Sequence, residues 1–527
     1  MAVVQSRADP VPDQGSTGDR LALGIFLAVC VLAVPFYLWA GRDQWFFQDE
    51  FAVLVSEVRS PLDLFHPHNE HLIVPTRLMY LVLWPVFGLN QYLPYQVVVV
   101  VTHVAIAVLM RLVLVRSGVG AWVATAGAIV FLAFGRGSEN IVWAFQVGLS
   151  GSIATGYLYL YLTMHDGPLR RRDVAALAVG IVAVLSSGPA VAMVVAVGIT
   201  SLLRRGLRVA AFHTVPLLGP MGLWFLLGRD ASAGSAPALV VRFVAEGVRI
   251  TVERTTVGLW GSVLVGLVAC LGLALQIGDE GLGPFARRVA APLGLAVAAL
   301  ANWFMIGYSR AESHGVEFSQ RPRYSHLALA MGLPLVVVGV EGVARRWRFL
   351  LVPVLAVLLA GVPANLKSVE IRSNRDVPPD LVLAVANSAL LEDVERDREV
   401  FPGVTGFRHV TAGWLVDARH DGKIPSDASS DWAVTEATRR LAFEVEPVAG
   451  SSIACREASV SKDVVLERGA SVVVSGQWIA WVKVASHGSV PLPVSSEGPV
   501  AVVAIADGLR LTMTPFTEGS GRWCSPN

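Results

Sequence analysis

Residues 21–40 read LALGIFLAVCVLAVPFYLWA, an uncharged apolar run near the start of the chain. A run of about 20 apolar residues is long enough to cross the hydrocarbon core of a bilayer as an α-helix. Comparable runs recur as far as Ala364, and the chain of 527 residues is 54% hydrophobic and 16% charged, with a mean hydropathy of +0.57. Soluble globular domains carry more charge than this. The sequence therefore predicts a mainly α, polytopic membrane protein.

The apolar runs predict about eleven transmembrane helices, near residues 21–40, 95–115, 119–134, 148–164, 174–187, 189–203, 209–227, 257–276, 289–307, 326–343 and 349–364. Arginines concentrate in alternate loops, at Arg111, Arg116, Arg170, Arg171, Arg172, Arg204, Arg205, Arg208, Arg287, Arg288, Arg345, Arg346 and Arg348. Positively charged loops favour the cytoplasmic side of the plasma membrane, so these loops and the N-terminus are expected there. Residues 1–20 are expected to be disordered, and residues 21–364 to form the transmembrane domain.

The apolar segment 72–87 is about 16 residues long, or roughly 24 Å as a helix, and it contains two prolines and Arg77. If it spanned the bilayer, the first loop would fall on the same side as the basic loops. We therefore predict an interfacial or re-entrant helix on the outer face, within a first external loop over residues 41–94.

The hydropathy falls after Ala364, and the tail changes character near Val448. Residues 378–399 have the apolar spacing of a helix, whereas short β-prone runs separated by Gly, Ser and Pro follow Val448. The tail is expected to form an extracytoplasmic α+β domain over residues 365–527, with a β-sandwich-like part. Because that compartment is oxidising, Cys455 and Cys524 are predicted to form a disulfide.

The first external loop contains the acids Asp49 and Glu50 within WFFQDEF, residues 45–51. Carboxylates among aromatic side chains at the mouth of a membrane span are costly to desolvate and are candidates for function. Adjacent side chains diverge, so one acid can act on a substrate while the other orients it. The alternative interpretation is a pair of solvated loop acids.

A second motif in this loop, residues 66–71, reads HPHNEH and is followed by Arg77. Imidazole and carboxylate groups suit Zn²⁺ or Mn²⁺, so one hypothesis is a divalent metal held by Asp49, His68 and His71. The spacing matches no fixed metal signature. The other hypothesis is that His68, Asn69, Glu70 and His71 bind substrate hydroxyls or one another.

Two later external loops add candidate substrate contacts. The first contains Glu139, Asn140, Trp143 and Gln146, which could stack and hydrogen-bond a sugar, or could form a membrane-interface belt with a helix cap. The other contains Arg321, Arg323 and Tyr324 beside the tenth span. Arginine binds phosphate oxygens in a forked geometry, although it can also extend to lipid headgroups.

No phosphate-binding glycine motif falls between a predicted strand and helix, so an activated lipid is the favoured energy source for a transfer reaction. The order of these elements resembles the GT-C superfamily of membrane glycosyltransferases over residues 20–364. The resemblance is carried by Asp49-Glu50, Asn69-Glu70-His71 with Arg77, Glu139-Asn140 with Trp143 and Gln146, and Arg323-Tyr324. The Ala/Val/Arg-rich composition and the outer tail are similar to actinobacterial arabinosyl- or mannosyltransferases of the cell wall.

This resemblance implies a polyprenyl-phosphate sugar donor, a glycan or glycolipid acceptor and no nucleic-acid partner. It implies that Asp49, or Glu50 in its place, is the catalytic base that deprotonates the acceptor hydroxyl, and that Arg323 holds the donor phosphate. The alternatives are a transporter or flippase of lipid-linked saccharides, with His103 and His213 as candidate polar groups inside the membrane, a polymerase or ligase of lipid-linked glycans, and a non-enzymatic envelope protein.

Overall fold

The computed structural model describes residues 17–526 except 57, 70, 228–233, 374–376, 427–428, 449–452, 459–460, 485–487 and 518–519. The predicted disordered segment 1–20 falls largely outside the described residues. The chain divides into two compact units. We call them the helical unit, which comprises Met1–Gln44, Val58–Met79 and Leu93–Arg372, and the C-terminal unit, which comprises Trp45–Glu57, Tyr80–Tyr92 and Ser373–Asn527. Residues 45–57 and 80–92, which lie in the predicted first external loop, belong to the C-terminal unit.

The described residues form twenty α-helices: α1 Thr17–Ala40, α2 Asp49–Val55, α3 Val74–Phe87, α4 Leu93–Arg116, α5 Ala121–Leu132, α6 Glu139–Val142, α7 Val147–Thr163, α8 Arg171–Ser186, α9 Pro189–Arg205, α10 Leu207–Leu227, α11 Pro237–Thr255, α12 Gly258–Glu280, α13 Leu282–Arg288, α14 Ala290–His314, α15 Pro322–Arg346, α16 Leu351–Leu359, α17 Val362–Leu366, α18 Pro379–Asn387, α19 Ala412–His420 and α20 Asp431–Ala442. Short 3-10 helices lie at Pro61–Phe65, Gly135–Gly137, Ala144–Gln146, Val316–Gln320, Arg348–Leu350 and Ala389–Asp393.

Six helical segments of the described chain are long and apolar enough to cross a membrane: Thr17–Ala40, Leu93–Arg116, Gly258–Glu280, Ala290–His314, Pro322–Arg346 and Arg348–Leu366. This indicates a membrane protein, but it does not confirm the predicted eleven spans. The remaining predicted spans coincide with helices α5, α7, α8, α9 and α10. Of these, α5 has 12 residues and is about 18 Å long, which is shorter than the hydrocarbon core.

Helix α15 is the most deeply buried of these six segments, since 83% of the residues in its most apolar 18-residue stretch are buried. Helix α12 packs against it through small residues. Gly272 lies directly against the Gly339 backbone, because a methyl group added at Gly272 would lie 1.8 Å from the Gly339 carbonyl oxygen. Such glycine contacts let helix backbones approach closely in membrane proteins, where van der Waals packing is a main source of helix association.

Two helices bear on the predicted external segments. Helix α3, Val74–Phe87, coincides with the segment predicted to be interfacial or re-entrant. Helix α11 lies between the predicted spans 209–227 and 257–276, where the hydropathy profile predicts no span. Its buried residues, Val240, Phe243, Val244, Gly247 and Thr251, recur with helical spacing. An apolar stripe on an otherwise charged segment therefore explains a helix that the hydropathy profile did not indicate.

The C-terminal unit contains a seven-stranded antiparallel sheet: β1 Phe443–Pro447, β2 Ile453–Glu457, β3 Lys462–Leu466, β4 Ser471–Val484, β5 Gly488–Ala504, β6 Leu509–Pro515 and β7 Gly521–Pro526. The strand order is β1-β5-β4-β6-β3, and β7 pairs with both β2 and β4. The sequence predicted a sandwich-like part, whereas the structure has one connected sheet. The difference arises at β4, which pairs with β7 near Val474 and with β6 from Trp478 onward.

Cys455 on β2 and Cys524 on β7 are directly opposite each other in the sheet and form a disulfide, the pair that the sequence predicts. Cys30 and Cys270 have free thiols. Denaturation without reductant should therefore expose two reactive thiols per chain, whereas four would contradict the disulfide. Because the bond closes a loop across 69 residues, Cys455→Ser should lower the free energy of unfolding by about 2–4 kcal/mol. The exposed Cys270→Ser is the control and should leave the melting temperature unchanged.

Candidate functional site

The acid pair lies in the C-terminal unit, at the first turn of α2. Gln48, the residue before the helix, has φ 43° and ψ −110°, a conformation that residues with a Cβ rarely adopt. Backbone strain of this kind costs about 1–3 kcal/mol and persists only where the surroundings impose it. The chain is thereby turned sharply just before Asp49.

The two carboxylates have different environments. The Glu50 side chain is fully buried and accepts hydrogen bonds from the Phe47 backbone N–H at 2.7 Å, the Tyr80 hydroxyl at 2.5 Å and the Tyr92 hydroxyl at 3.0 Å. Asp49 is half-buried. Asp49 is therefore the more accessible carboxylate of the pair.

The aromatic residues next to the acids in the sequence pack against other rings within this unit. The Phe46 ring is 5.0 Å from that of Tyr92, and the Phe51 ring stacks on Phe407 at 4.5 Å. Phe46 and Phe51 are buried, so their rings exclude water from the side of the turn that holds Glu50.

The histidine motif lies in the helical unit and forms a tight turn. His68 and His71 exchange two backbone hydrogen bonds, at 2.8 and 2.9 Å, across Asn69, which has φ 46°. Glu70 lies outside the described residues. The His68 ring packs against Phe145 at 5.4 Å, and Arg77 donates to the His66 carbonyl at 3.3 Å.

The metal hypothesis gains no support from this geometry. Among the residues that the structure describes, no three His, Cys, Asp or Glu side chains converge as metal ligands. The backbone turn, the Phe145 ring and the Arg77 hydrogen bond hold His66, His68 and His71 in place.

The second loop brings together several predicted residues in the helical unit. Glu139 begins helix α6, and its buried carboxylate contacts the Arg323 guanidinium at 3.2 Å and the Arg372 guanidinium at 3.4 Å. The Asn140 amide donates to the Arg323 carbonyl at 3.0 Å. Glu139, Asn140 and Arg323 therefore form one cluster.

Arg254 on α11 extends this cluster. It donates to the hydroxyl of Ser325, two residues after Arg323, at 3.0 Å. Burial lowers the pKa of the Arg254 guanidinium, and the positive charges of Arg136 and Arg372 lower it further, so these three arginines are close enough to repel one another. We call Arg136, Arg254, Arg323 and Arg372, with Glu139, the arginine cluster.

The remaining predicted contact residues differ in their exposure. Trp143 and Gln146 are buried, and the Trp143 ring packs beside Phe145, so Trp143 presents no exposed face for stacking a sugar. The buried Tyr324 ring lies 5.2 Å from the Arg323 guanidinium. Arg321 is exposed and lies over the Phe318 ring. These rings hold the arginines through cation–π contacts.

A buried chain of hydrogen bonds leads from the cluster into the helices. His103 bonds through Nε2 to the Leu132 carbonyl at 3.0 Å and through Nδ1 to His326 Nε2 at 3.0 Å, and Asn140 approaches His326 Nδ1 at 3.3 Å. A carbonyl only accepts, so the Leu132 contact assigns the His103 proton to Nε2. His103 Nδ1 must then accept from His326, and His326 from Asn140. Both histidines are therefore engaged in fixed contacts.

The sequence did not single out Arg254, Arg372, Tyr80, Tyr92 or His326. Arg372 follows the last apolar run, and Arg254 lies at the end of an amphipathic helix. The apolar stripe of α11 could have indicated Arg254, because it shows which face of that helix packs inward. No local pattern marks the other four residues.

Comparisons with known proteins add no assignment: no family model, no curated protein and no solved structure matches the chain. The resemblance to GT-C glycosyltransferases therefore stays a prediction, supported only by residues of this chain.

Proposed function

We propose that the protein is a GT-C-type membrane glycosyltransferase that moves a sugar from a polyprenyl phosphate to a hydroxyl of a glycan or glycolipid. The observation that carries this proposal is the arginine cluster beside the first turn of α15, a helix long and apolar enough to span a membrane. The Arg323 and Arg372 guanidinium groups contact the Glu139 carboxylate there, and Arg254 interacts with the Glu370 carboxylate. With Arg136, four arginines thus meet two acids, which leaves an excess of positive charge. A phosphate attached to a lipid chain suits such a site.

Glu139 holds two arginines of the cluster in place. Its buried carboxylate contacts the guanidinium groups of both Arg323 and Arg372, so it holds these two positive groups close together. A carboxylate also reduces the repulsion that four clustered arginines would otherwise experience. As the sugar leaves, the phosphate gains negative charge, which the arginines stabilise more strongly than the charge of the intact donor.

In the proposed reaction Asp49 accepts the proton of the acceptor hydroxyl. The acceptor oxygen forms a bond to the anomeric carbon of the sugar, and the bond from that carbon to the phosphate oxygen breaks. The electron pair leaves with polyprenyl phosphate. Glu50 acts as a positioning residue, because its carboxylate is held by Phe47, Tyr80 and Tyr92 and is fully buried.

The proposed location is the outer face of the plasma membrane, with the N-terminus in the cytoplasm and the C-terminal domain outside. Two features support this orientation. The arginine-rich loops follow alternate predicted spans, as expected for cytoplasmic loops. The Cys455–Cys524 disulfide suits an extracytoplasmic compartment.

The alternatives receive different support. A transporter or flippase would need polar groups along a path through the membrane, but His103 bonds to His326 and Leu132, and His213 bonds to Asp173 and Tyr159. A polymerase or ligase of lipid-linked glycans would use the arginine cluster in the same way. It remains the second candidate, because it would not depend on Asp49.

The arginine cluster can be tested by replacing Arg254 or Arg372 with glutamine in nanodiscs. We expect the KM for a polyprenyl-phosphate sugar to rise about tenfold or more, since a hydrogen bond to a charged group contributes about 1.5–3 kcal/mol. Arg249→Gln is a matched control on the same helix as Arg254, because Arg249 is exposed and pairs with Glu246 and Glu253. Equal KM values for all three variants would refute phosphate binding by the cluster.

A further inference from the structure

The loop over residues 404–410, here called the 404–410 loop, packs against the acid turn within the C-terminal unit. Phe407 stacks on Phe51 at 4.5 Å with an angle of 28° between the rings. Gly406 lies directly against Gln48: a methyl group added at Gly406 would lie 2.4 Å from the Gln48 Cα atom. The loop therefore contacts the chain on both sides of Asp49 and Glu50.

The 404–410 loop is itself firmly held. Phe401 and Phe407 are buried and their rings are 5.2 Å apart. Backbone hydrogen bonds connect Phe407 to Val404 and Val410 to Phe407, both at 3.1 Å, and the Val400 N–H bonds to the Val410 carbonyl at 3.0 Å. A loop closed in this way can impose a shape on the segment that packs against it.

The contact between Gly406 and Gln48 maintains the strained backbone of Gln48. Gln48 has a positive φ, which a residue with a Cβ adopts only where its surroundings impose it. Gly406, with φ 85°, contacts Gln48 where a side chain would not fit. Because Asp49 follows Gln48, the direction of its carboxylate depends on the dihedral angles that this contact maintains.

We infer that the 404–410 loop positions Asp49, and thus that the tail of the chain helps to shape the acid site. This inference rests on the proposed function only for its effect on catalysis. The positioning itself is a statement about Gln48, Gly406 and Phe407, which a measurement without substrate can test.

The test compares Gly406→Ala with Gly403→Ala. Both glycines have positive φ, 85° and 75°, so alanine introduces similar backbone strain at each position. Only at Gly406 does the new methyl group meet Gln48, since nothing lies within 4 Å of the corresponding atom at Gly403. The difference between the two variants therefore isolates the contact with the acid turn.

The first readout is hydrogen exchange of the full-length protein in nanodiscs, without substrate. The Glu50 and Phe51 amides, which bond to the Phe47 and Gln48 carbonyls at 3.2 and 3.0 Å, should exchange faster in Gly406→Ala than in Gly403→Ala. Equal exchange in the two variants would overturn the inference. If Gly406→Ala does not fold, Phe407→Leu, which removes the ring stack and keeps an apolar side chain, replaces it in the same comparison.

The second readout is transfer from a polyprenyl-phosphate sugar. A displacement of about 1 Å at a catalytic group can cost about 100-fold in rate, so kcat should fall by up to that factor in Gly406→Ala with the donor KM unchanged. Gly403→Ala should retain the wild-type kcat. A fall in both variants to the same extent would show a merely structural effect. Absence of transfer by the wild-type protein would count against the proposed function and leave the exchange result standing.

Discussion

Replacing Asp49 with asparagine is expected to lower the rate of sugar transfer by about 10²–10⁴-fold, the range that general-base catalysis contributes. Asparagine keeps the size of the side chain but cannot accept a proton from the acceptor hydroxyl. Asp49 is half-buried at the first turn of α2, so the folded protein should tolerate the change. The measurement is the initial rate with a polyprenyl-phosphate sugar and a hydroxyl acceptor, alongside the melting temperature.

Glu50→Gln is the matched comparison, because it alters the neighbouring carboxylate in the same way. Glu50 accepts from Phe47, Tyr80 and Tyr92 in a buried setting, so the amide should weaken this network and lower the free energy of unfolding by about 1–3 kcal/mol. Its transfer rate should stay well above that of Asp49→Asn. The reverse order would make Glu50 the base, and full activity in both variants would favour the ligase or polymerase interpretation.

The sequence marks the acid pair as a candidate, but it does not show that its two members have different environments. Asp49 and Glu50 stand out because aromatic residues flank them shortly after the first apolar run. Which acid is buried depends on the Tyr80 and Tyr92 hydroxyls, 30 and 42 residues further along the chain. Packing over such separations leaves no periodic trace in the sequence.

The arginine cluster shows the same limit. Arg323 was a candidate because it stands at the start of an apolar run, where local sequence is informative. Arg254 and Arg372 come from an amphipathic helix and from the segment after the last apolar run, and they meet Arg323 only through the tertiary packing of these elements.

The structure has a helix at each predicted span, but it does not confirm the number of spans. Hydropathy identified a helix at every predicted span, but five of these helices fall outside the six that meet the length and hydropathy of a membrane span. Hydropathy cannot distinguish a lipid-facing helix from one that is buried by its neighbours. In the helical unit the short α5 is largely buried, so its apolar residues reflect protein packing.

Replacing Gly272 with leucine is expected to destabilise the helical unit by about 3 kcal/mol or more, because overpacking at a backbone contact forces elements apart. The Cβ atom would lie 1.8 Å from the Gly339 carbonyl oxygen. That oxygen belongs to the buried helix α15 and cannot move as a flexible side chain can. Alanine at Gly272 should also destabilise, but less, since only one atom enters the contact. The measurement is the melting temperature in detergent micelles.

Gly266→Leu is the control for Gly272→Leu. Gly266 lies on the same helix, about one and a half turns earlier, and nothing lies within 4 Å of a methyl group added there. Both substitutions add the same apolar side chain to α12, so they alter the hydropathy of the helix equally. If close backbone packing attaches α12 to α15, only the Gly272 variant should melt at a lower temperature. Equal melting temperatures would show that the α12–α15 contact does not stabilise the unit.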